Sequence, residues 1–117
     1  MQFEEHGIQK GFIEWFDYQY PQYAPFLFAI PNGGKRGKAE AGRLKAEGVR
    51  KSIPDLFLSV AVYPNHGLYI ETKTAKGSTT KEQRFYLEEF FKKGYRTAVC
   101  RSLDEFMDEV NRYLKGE

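Results

Sequence analysis

The sequence predicts an α/β domain in which a central mixed β-sheet is flanked by α-helices. Three observations predict it. Residues 56–63, Leu-Phe-Leu-Ser-Val-Ala-Val-Tyr, are apolar almost throughout, where a strand with one wet face would alternate, so this strand is expected to be covered on both sides. Segments with apolar residues at helical spacing are interleaved with short runs of β-branched and aromatic residues that suit strands. The chain has 117 residues, 41% of them hydrophobic and including ten Phe and eight Tyr, enough for one core but not two. A single domain over residues 1–117 is therefore expected, and disorder is not.

The elements follow in order. From Glu4 to Tyr18 the apolar residues Ile8, Phe12, Trp15 and Phe16 recur at helical spacing, so the chain opens with an amphipathic helix that "YPQYAP" ends. Phe26 to Ile30 reads as a short strand. Lys38 to Glu47 is helix-prone but weakly amphipathic, with Gly48 placed as a C-terminal stop, so it is expected to pack lightly and show a basic face. Leu56 to Tyr63 and Leu68 to Ile70 read as two strands of a hairpin joined by "PNHG". After the loop "TAKGSTT", Thr80-Lys81-Glu82-Gln83 matches a capping box. The helix it starts is expected to carry Phe85, Leu87, Phe90 and Phe91 to the core and to stop at Lys92-Lys93-Gly94. Tyr95 to Cys100 is the next strand. Ser102 with Glu105 caps a last helix, in which Leu103, Phe106, Met107, Val110, Tyr113 and Leu114 keep helical period.

Several function classes are disfavoured. No apolar run approaches the ~20 residues needed to cross a bilayer, and "MQFEEHGIQKG" lacks the charged and apolar regions of a secretory signal, so the expectation is a cytoplasmic protein without a membrane partner. Cys100 stands alone, which excludes an internal disulfide and a multi-cysteine zinc site. The formal net charge is only +2, so any nucleic-acid surface must come from local clustering.

The hairpin raises a chemical question. Glu71 and Lys73 are two apart, so on a strand they share a face, and pairing of the two strands brings Asp55 beside them. Two carboxylates forced together repel unless a cation lies between them. A hard divalent ion, Mg2+ or Mn2+, is the natural occupant, because it prefers oxygen ligands and fills its remaining positions with waters and substrate phosphate. Lys73 then has a role in holding an attacking hydroxide or in steadying charge on phosphorus, which describes phosphodiester hydrolysis. The competing reading is a hairpin whose charges are simply solvated.

A basic stretch precedes the hairpin. "IPNGGKRGKAEAGRLKAEGVRK" holds Lys35, Arg36, Lys38, Arg43, Lys45, Arg50 and Lys51 against Glu40 and Glu47. Phosphate binding is its obvious use, with the Asn32-Gly33-Gly34 backbone able to approach an anion closely. Asn32, Lys35, Arg36, Arg43 and Lys51, with Lys76 in the loop after Lys73, are the candidate nucleic-acid contacts. The alternative is a basic, solvated loop and helix.

Taken together, "IPD", "IETK", "TTKEQRFYLEEF" and the strand "YRTAVC", with "EEHGIQ" on the first helix and "PNGGKR" before the motif, resemble the VRR-NUC (virus-type replication-repair nuclease) branch of the PD-(D/E)xK superfamily, in its stand-alone phage or bacterial form. The resemblance spans essentially the whole chain and implies the restriction-endonuclease-like fold. By it, Asp55 and Glu71 match the metal-binding acids, Lys73 the catalytic lysine and Gln83 the helix glutamine beside the site. Glu5 matches a first-helix acid that can add a metal ligand, Gln9 its companion, and the backbone carbonyl of Thr72 is a further ligand. The chain departs from the pattern at Ser52, where relatives often have glycine.

Simpler readings stand beside these. Gln83 is also the natural partner of Thr80 in the capping box, and Glu5 suits the first turn of a helix, with Glu4 as its rival. His6 and His66 lack metal-ligand spacing to any other His or Cys. The reading is a metal-dependent endonuclease acting on branched or junction DNA, and the resemblance implies a homodimer similar to Holliday-junction resolvases. The aromatics of "WFDYQYPQYAPF" are the candidate dimer surface, and recognition is expected to be of DNA structure rather than sequence. Two alternatives remain: a flap or splayed-arm repair nuclease of the same fold, and a non-cleaving nucleic-acid-binding module.

Overall fold

The computed structural model describes residues 2–32 and 37–117, with side chains in the first helix described from Glu5 onward. Helix α1 (Gln2–Gln19) leads through a 3-10 turn (Ala24–Phe26) into β1 (Leu27–Ala29), and α2 (Lys38–Ala46) follows. Strands β2 (Leu56–Leu58) and β3 (Leu68–Thr72) precede α3 (Lys81–Lys92), β4 (Arg96–Cys100) and α4 (Leu103–Leu114). The sheet runs in the order β1-β2-β3-β4. Its first two pairings are antiparallel and β3 pairs β4 in parallel, so the mixed sheet flanked by helices is as expected.

Strand alternation divides the sheet into two unlike faces. Leu56 and Leu58 of β2, with Leu68 and Ile70 of β3, point to the side where α1 and α4 supply Phe12, Phe16, Phe106 and Val110, all fully buried. Phe12 stacks on Phe106 with ring centroids 4.3 Å apart, and each such side chain stabilises the fold by about 1.5–3 kcal/mol on burial. The opposite face carries a chain of rings. Phe28 meets Phe57, Phe57 meets Tyr69, and Tyr69 stacks on Phe90 of α3 at 4.1 Å. Helix α3 covers this face only in part and buries none of its own residues fully.

The expected helix–core contacts therefore need one correction. Phe85 and Phe91 stay exposed, because Tyr86 and Phe90, one turn apart, are the residues that α3 turns toward the sheet. A second correction concerns β2, which stops at Leu58 instead of continuing to Tyr63. The chain peels away there to serve α4: Tyr113 donates its hydroxyl hydrogen to the Val60 carbonyl at 2.6 Å, and Val60 and Val62 pack on the core edge. Of the "WFDYQYPQYAPF" aromatics, Phe16 lies in the core and Trp15, Tyr20 and Tyr23 pack against it, leaving Tyr18 and Phe26 as the exposed ones.

The caps behave as their sequences predict. Thr80 Oγ1 accepts from Gln83 N while Gln83 Oε1 accepts from Thr80 N, a complete capping box. Ser102 caps α4 through Glu105 N at 3.2 Å, but the Glu105 carboxylate reaches past it to accept from Arg101 N at 2.7 Å.

Candidate active site

The β2–β3 register sets the site. Leu56 pairs with Ile70, so the next pair outward is Asp55 with Glu71, at the end of the sheet where β3 and β4 finish in parallel. The β1–β2 pairing holds this end in place, because Ile30 N donates to the Asp55 carbonyl at 2.8 Å. Asp55, Glu71 and Lys73 lie on the α3 face; Glu71 is on β3 and Lys73 just past its end, with Thr72 between them pointing to the other side.

Each carboxylate oxygen has a distinct environment. Asp55 Oδ2 accepts from Thr72 N at 2.8 Å and Oδ1 from the Asn32 side-chain amide at 3.4 Å. Glu71 Oε2 accepts from Gln83 Nε2 at 3.1 Å and lies 3.8 Å from Lys73 Nζ. Glu71 Oε1 is buried and no donor among the described residues reaches it, a costly state for a charged group. Burial is the largest cause raising both acids. It pushes Glu71 up to about 8, the charge of Asp55 adds to the rise, and Lys73 opposes it. Asp55 is raised in direction for the same first reason, against the pull of the Thr72 amide.

These are the marks of a pair built to share a positive charge. A proton held between the two carboxyls satisfies Oε1 in one way; a hard cation satisfies it with both acids ionised. The donor set fits Mg2+ or Mn2+ in kind, being all oxygen. Among the described residues no three His, Cys, Asp or Glu side chains converge on one point, so this is a two-carboxylate site. Glu5 on α1 is near enough that its charge raises both Asp55 and Glu71, although it is not part of the contact set.

The chain segment around Lys73 is fixed by β4. Lys73 N donates to the Cys100 carbonyl at 3.1 Å, and Arg101 ties down the following loop by donating to the carbonyls of Thr74 and Gly77. On the other flank Ser52 adopts φ 68, the left-handed region that favours glycine, two residues before Pro54.

A family model, that of the VRR-NUC domain, matches residues 4–104. The chain belongs to the VRR-NUC family. A solved structure named "VRR_NUC domain protein" superimposes with a TM-score of 0.82 at 26% identity, covering 95% of this chain and 88% of that one. No curated protein matches the chain. The VRR-NUC domain carries a nuclease-type function, with DNA as the substrate class it implies.

Within this VRR-NUC domain Asp55, Glu71, Lys73 and Gln83 come together. Gln83 resolves an apparent choice between cap and site residue: its oxygen closes the capping box while its nitrogen holds Glu71. The basic candidates are more scattered. Arg43 is exposed and paired with Glu47 at 3.3 Å, Lys51 meets Glu82 at 3.7 Å, and Lys76 sits exposed in the loop after Lys73. Lys35 and Arg36 lie outside the described residues, as do Gly33, Gly34 and the Glu4 side chain. His66 is far along the sheet, donating its backbone N–H to the Gly94 carbonyl and packing its ring on Tyr95. Sequence reading missed the side-chain role of Asn32 and the Arg101 clamp; a polar residue just past β1, which pairs with the strand entering at Asp55, was the available signal for the first. No helix of the described residues is long and apolar enough to cross a membrane.

Proposed function

We propose that this VRR-NUC domain is a divalent-metal-dependent endodeoxyribonuclease that cuts branched DNA in the manner of a Holliday-junction resolvase, acting as a homodimer. The observation that carries the reading is the orphaned Glu71 Oε1 in a buried carboxylate pair with Lys73 at 3.8 Å. A structural ion pair would satisfy its oxygens from lysine and other donors; here Glu71 Oε1 is left to a proton shared with Asp55 or to a cation.

Asp55, Glu71 and the Thr72 carbonyl would hold the ion, with Glu5 on α1 adding negative charge nearby. When bound, Mg2+ or Mn2+ would neutralise the acid pair, acidify a water and draw charge from the phosphate. The chain's own groups do the positioning. Gln83 fixes the Glu71 carboxylate and the Thr72 amide fixes that of Asp55, so neither acid reorganises as substrate binds. Lys73 orients the attacking water and places a positive charge where negative charge grows on phosphorus. Water gives up a proton as its oxygen bonds to phosphorus, the bond to the leaving sugar oxygen breaks, and that oxygen takes up a proton in turn, so one water is consumed and no net proton is needed.

The homodimer is supported by exposed apolar rings around the α3 face, where Phe28 extends the Phe57–Tyr69 ring chain and Phe85 and Phe91 project from α3 itself. A two-fold pair would double both charge and reach on DNA. The deciding experiment is cleavage of a labelled four-way junction, a matched duplex and a flap, with Mg2+ or Mn2+, by wild type and Lys73→Met. Symmetric cuts lost in the variant support the reading, and sedimentation velocity tests the dimer. Metal-independent binding to all three substrates without cleavage of any would leave a binding module instead.

A further inference from the structure

A cleft of about 500 Å³ opens between α2, the segment 49–51 and the start of α3. Its walls are apolar and half-buried: Leu44, Val49 and Tyr86. Its rim is cationic, from Lys45 and Arg50, which have no acidic partner among the described residues, and from Lys51, which pairs with Glu82 across the opening. The cleft adjoins the acid pair at two points. Asn32 lines it and donates to Asp55, while Glu82 lines it and is followed by Gln83, which donates to Glu71.

We propose that this cleft binds one unpaired nucleotide of the DNA next to the scissile phosphate, its base stacked on Tyr86 and its phosphates held by Lys45 and Arg50. The inference rests on the nuclease reading of the neighbouring site and deepens it, by stating what the substrate must present. Double-helical backbone would use the cations and leave the apolar walls idle. A free base with its phosphate uses both, because base stacking on an aromatic ring tolerates any base and lysine and arginine grip the charge. The volume lies in the range of sites that enclose small ligands. Tyr86 is suited to serve as a platform: Phe90 lies one turn along at 5.9 Å and Phe85 packs edge-on at 5.5 Å, so the ring is braced from its own helix. Helix α2 buries none of its residues, so it rests over the cleft without filling it.

The test uses the full chain in EDTA and three DNAs: a closed duplex, the same duplex with a short single-stranded arm, and that arm carrying an abasic nucleotide next to the branch. Fluorescence anisotropy should show the base-bearing arm bound about 5- to 100-fold more tightly than the abasic arm by the wild type. The ratio should fall toward one in Tyr86→Leu and persist in Tyr86→Trp, while Arg50→Gln should weaken both arms together. Equal binding of the two arms by the wild type overturns the proposal, as does a ratio that survives Tyr86→Leu. Should Tyr86→Leu fail to fold, 2-aminopurine at the same position decides with wild type alone, since stacking quenches it and unchanged emission at saturation rules the stack out. Cleavage in Mg2+ or Mn2+ separates the two readings. Arm discrimination without cleavage of any DNA sinks the nuclease mechanism and leaves the cleft, whereas cleavage without discrimination sinks the cleft alone.

Discussion

Replacing Glu71 by glutamine should make the metal-free protein more stable while abolishing its chemistry. Glu71 is almost wholly buried beside Asp55 and its carboxyl is raised from 4.5 to about 8, chiefly by burial. A carboxyl whose folded value lies above its unfolded value contributes stability fully present below pH 4.5 and lost as pH rises through about 8. The ceiling on that loss, taken from the rise to about 8, is about 5 kcal/mol. Glutamine has the same shape and no charge to bury. It keeps an oxygen for Gln83 to donate to and can itself donate to Asp55, but it forgoes the 3.8 Å contact with Lys73. That offset reduces the expected gain to about 1–3 kcal/mol at pH 8, or about 4–12 °C in melting temperature for a domain of this size.

Thermal melts followed by circular dichroism in EDTA at pH 5 and pH 8 read this directly. The wild type should lose melting temperature between the two relative to Glu71→Gln, and the two proteins should converge at pH 5, where wild-type Glu71 is protonated. Adding Mg2+ at pH 8 should raise the wild type and leave the variant where it was. Parallel pH profiles for the two proteins, or a variant that melts below the wild type at pH 8, would refute the view that Glu71 is a strained acid awaiting a cation.

Further substitutions separate the site's parts. Lys73→Met keeps an apolar stem in the buried position and should slow cleavage of a junction by about 10²- to 10³-fold with little change in its dissociation constant; a large binding loss instead would make Lys73 a phosphate anchor only. Thr80→Ala should cost about 1 kcal/mol of stability, read as a shifted urea midpoint, and should slow cleavage only slightly, because Thr80 N still donates to Gln83 Oε1 and keeps the Gln83 amide on Glu71. Gln83→Glu still offers α3 its capping-box carboxylate but sets a third acid against Glu71, so cleavage should collapse while the melting temperature in EDTA moves by only a few degrees; retained cleavage would show that the Gln83 amide does not orient the site. Ser52→Val places a β-branched residue at φ 68 and should lower stability by about 1–2 kcal/mol, whereas Ser52→Gly should match or exceed the wild type.

What the sequence disclosed was the part written in near-neighbour chemistry. The capping box at Thr80 and the serine cap at Ser102 are patterns within four residues, and the helices of the core are read from spacing within one segment. The pairing of Asp55 with Glu71 was legible because a hairpin makes its register a local matter, with the residues on either side apolar enough to fix which face each charge takes. Where the answer depended on a distant partner, local pattern misled. Val60 and Val62 have every strand preference, yet the Tyr113 hydroxyl, far along the chain, draws this segment out of the sheet. Phe85 and Phe91 are as apolar as Phe90, and only the position of Tyr69 on the neighbouring strand decides which ring α3 turns inward.

The same distinction explains how the site is assembled. Its two acids and its lysine come from the hairpin, but the groups that orient them come from three other places: Asn32 past β1, Gln83 on α3, and the β4 end, where Cys100 and Arg101 hold the backbone around Lys73. Gln83 is the clearest case, since one amide side chain spends its oxygen on the start of α3 and its nitrogen on Glu71. Fraying of that helix start would therefore release the carboxylate as well. Helix formation and site geometry are one event, so a perturbation confined to the first turn of α3 reaches the acid pair through a single side chain without moving the sheet. The cleft lined by Glu82 and Tyr86 is built on that same turn and the one after it. A nucleotide seated there would press on the element that holds Glu71, giving substrate binding a short physical route to the chemistry.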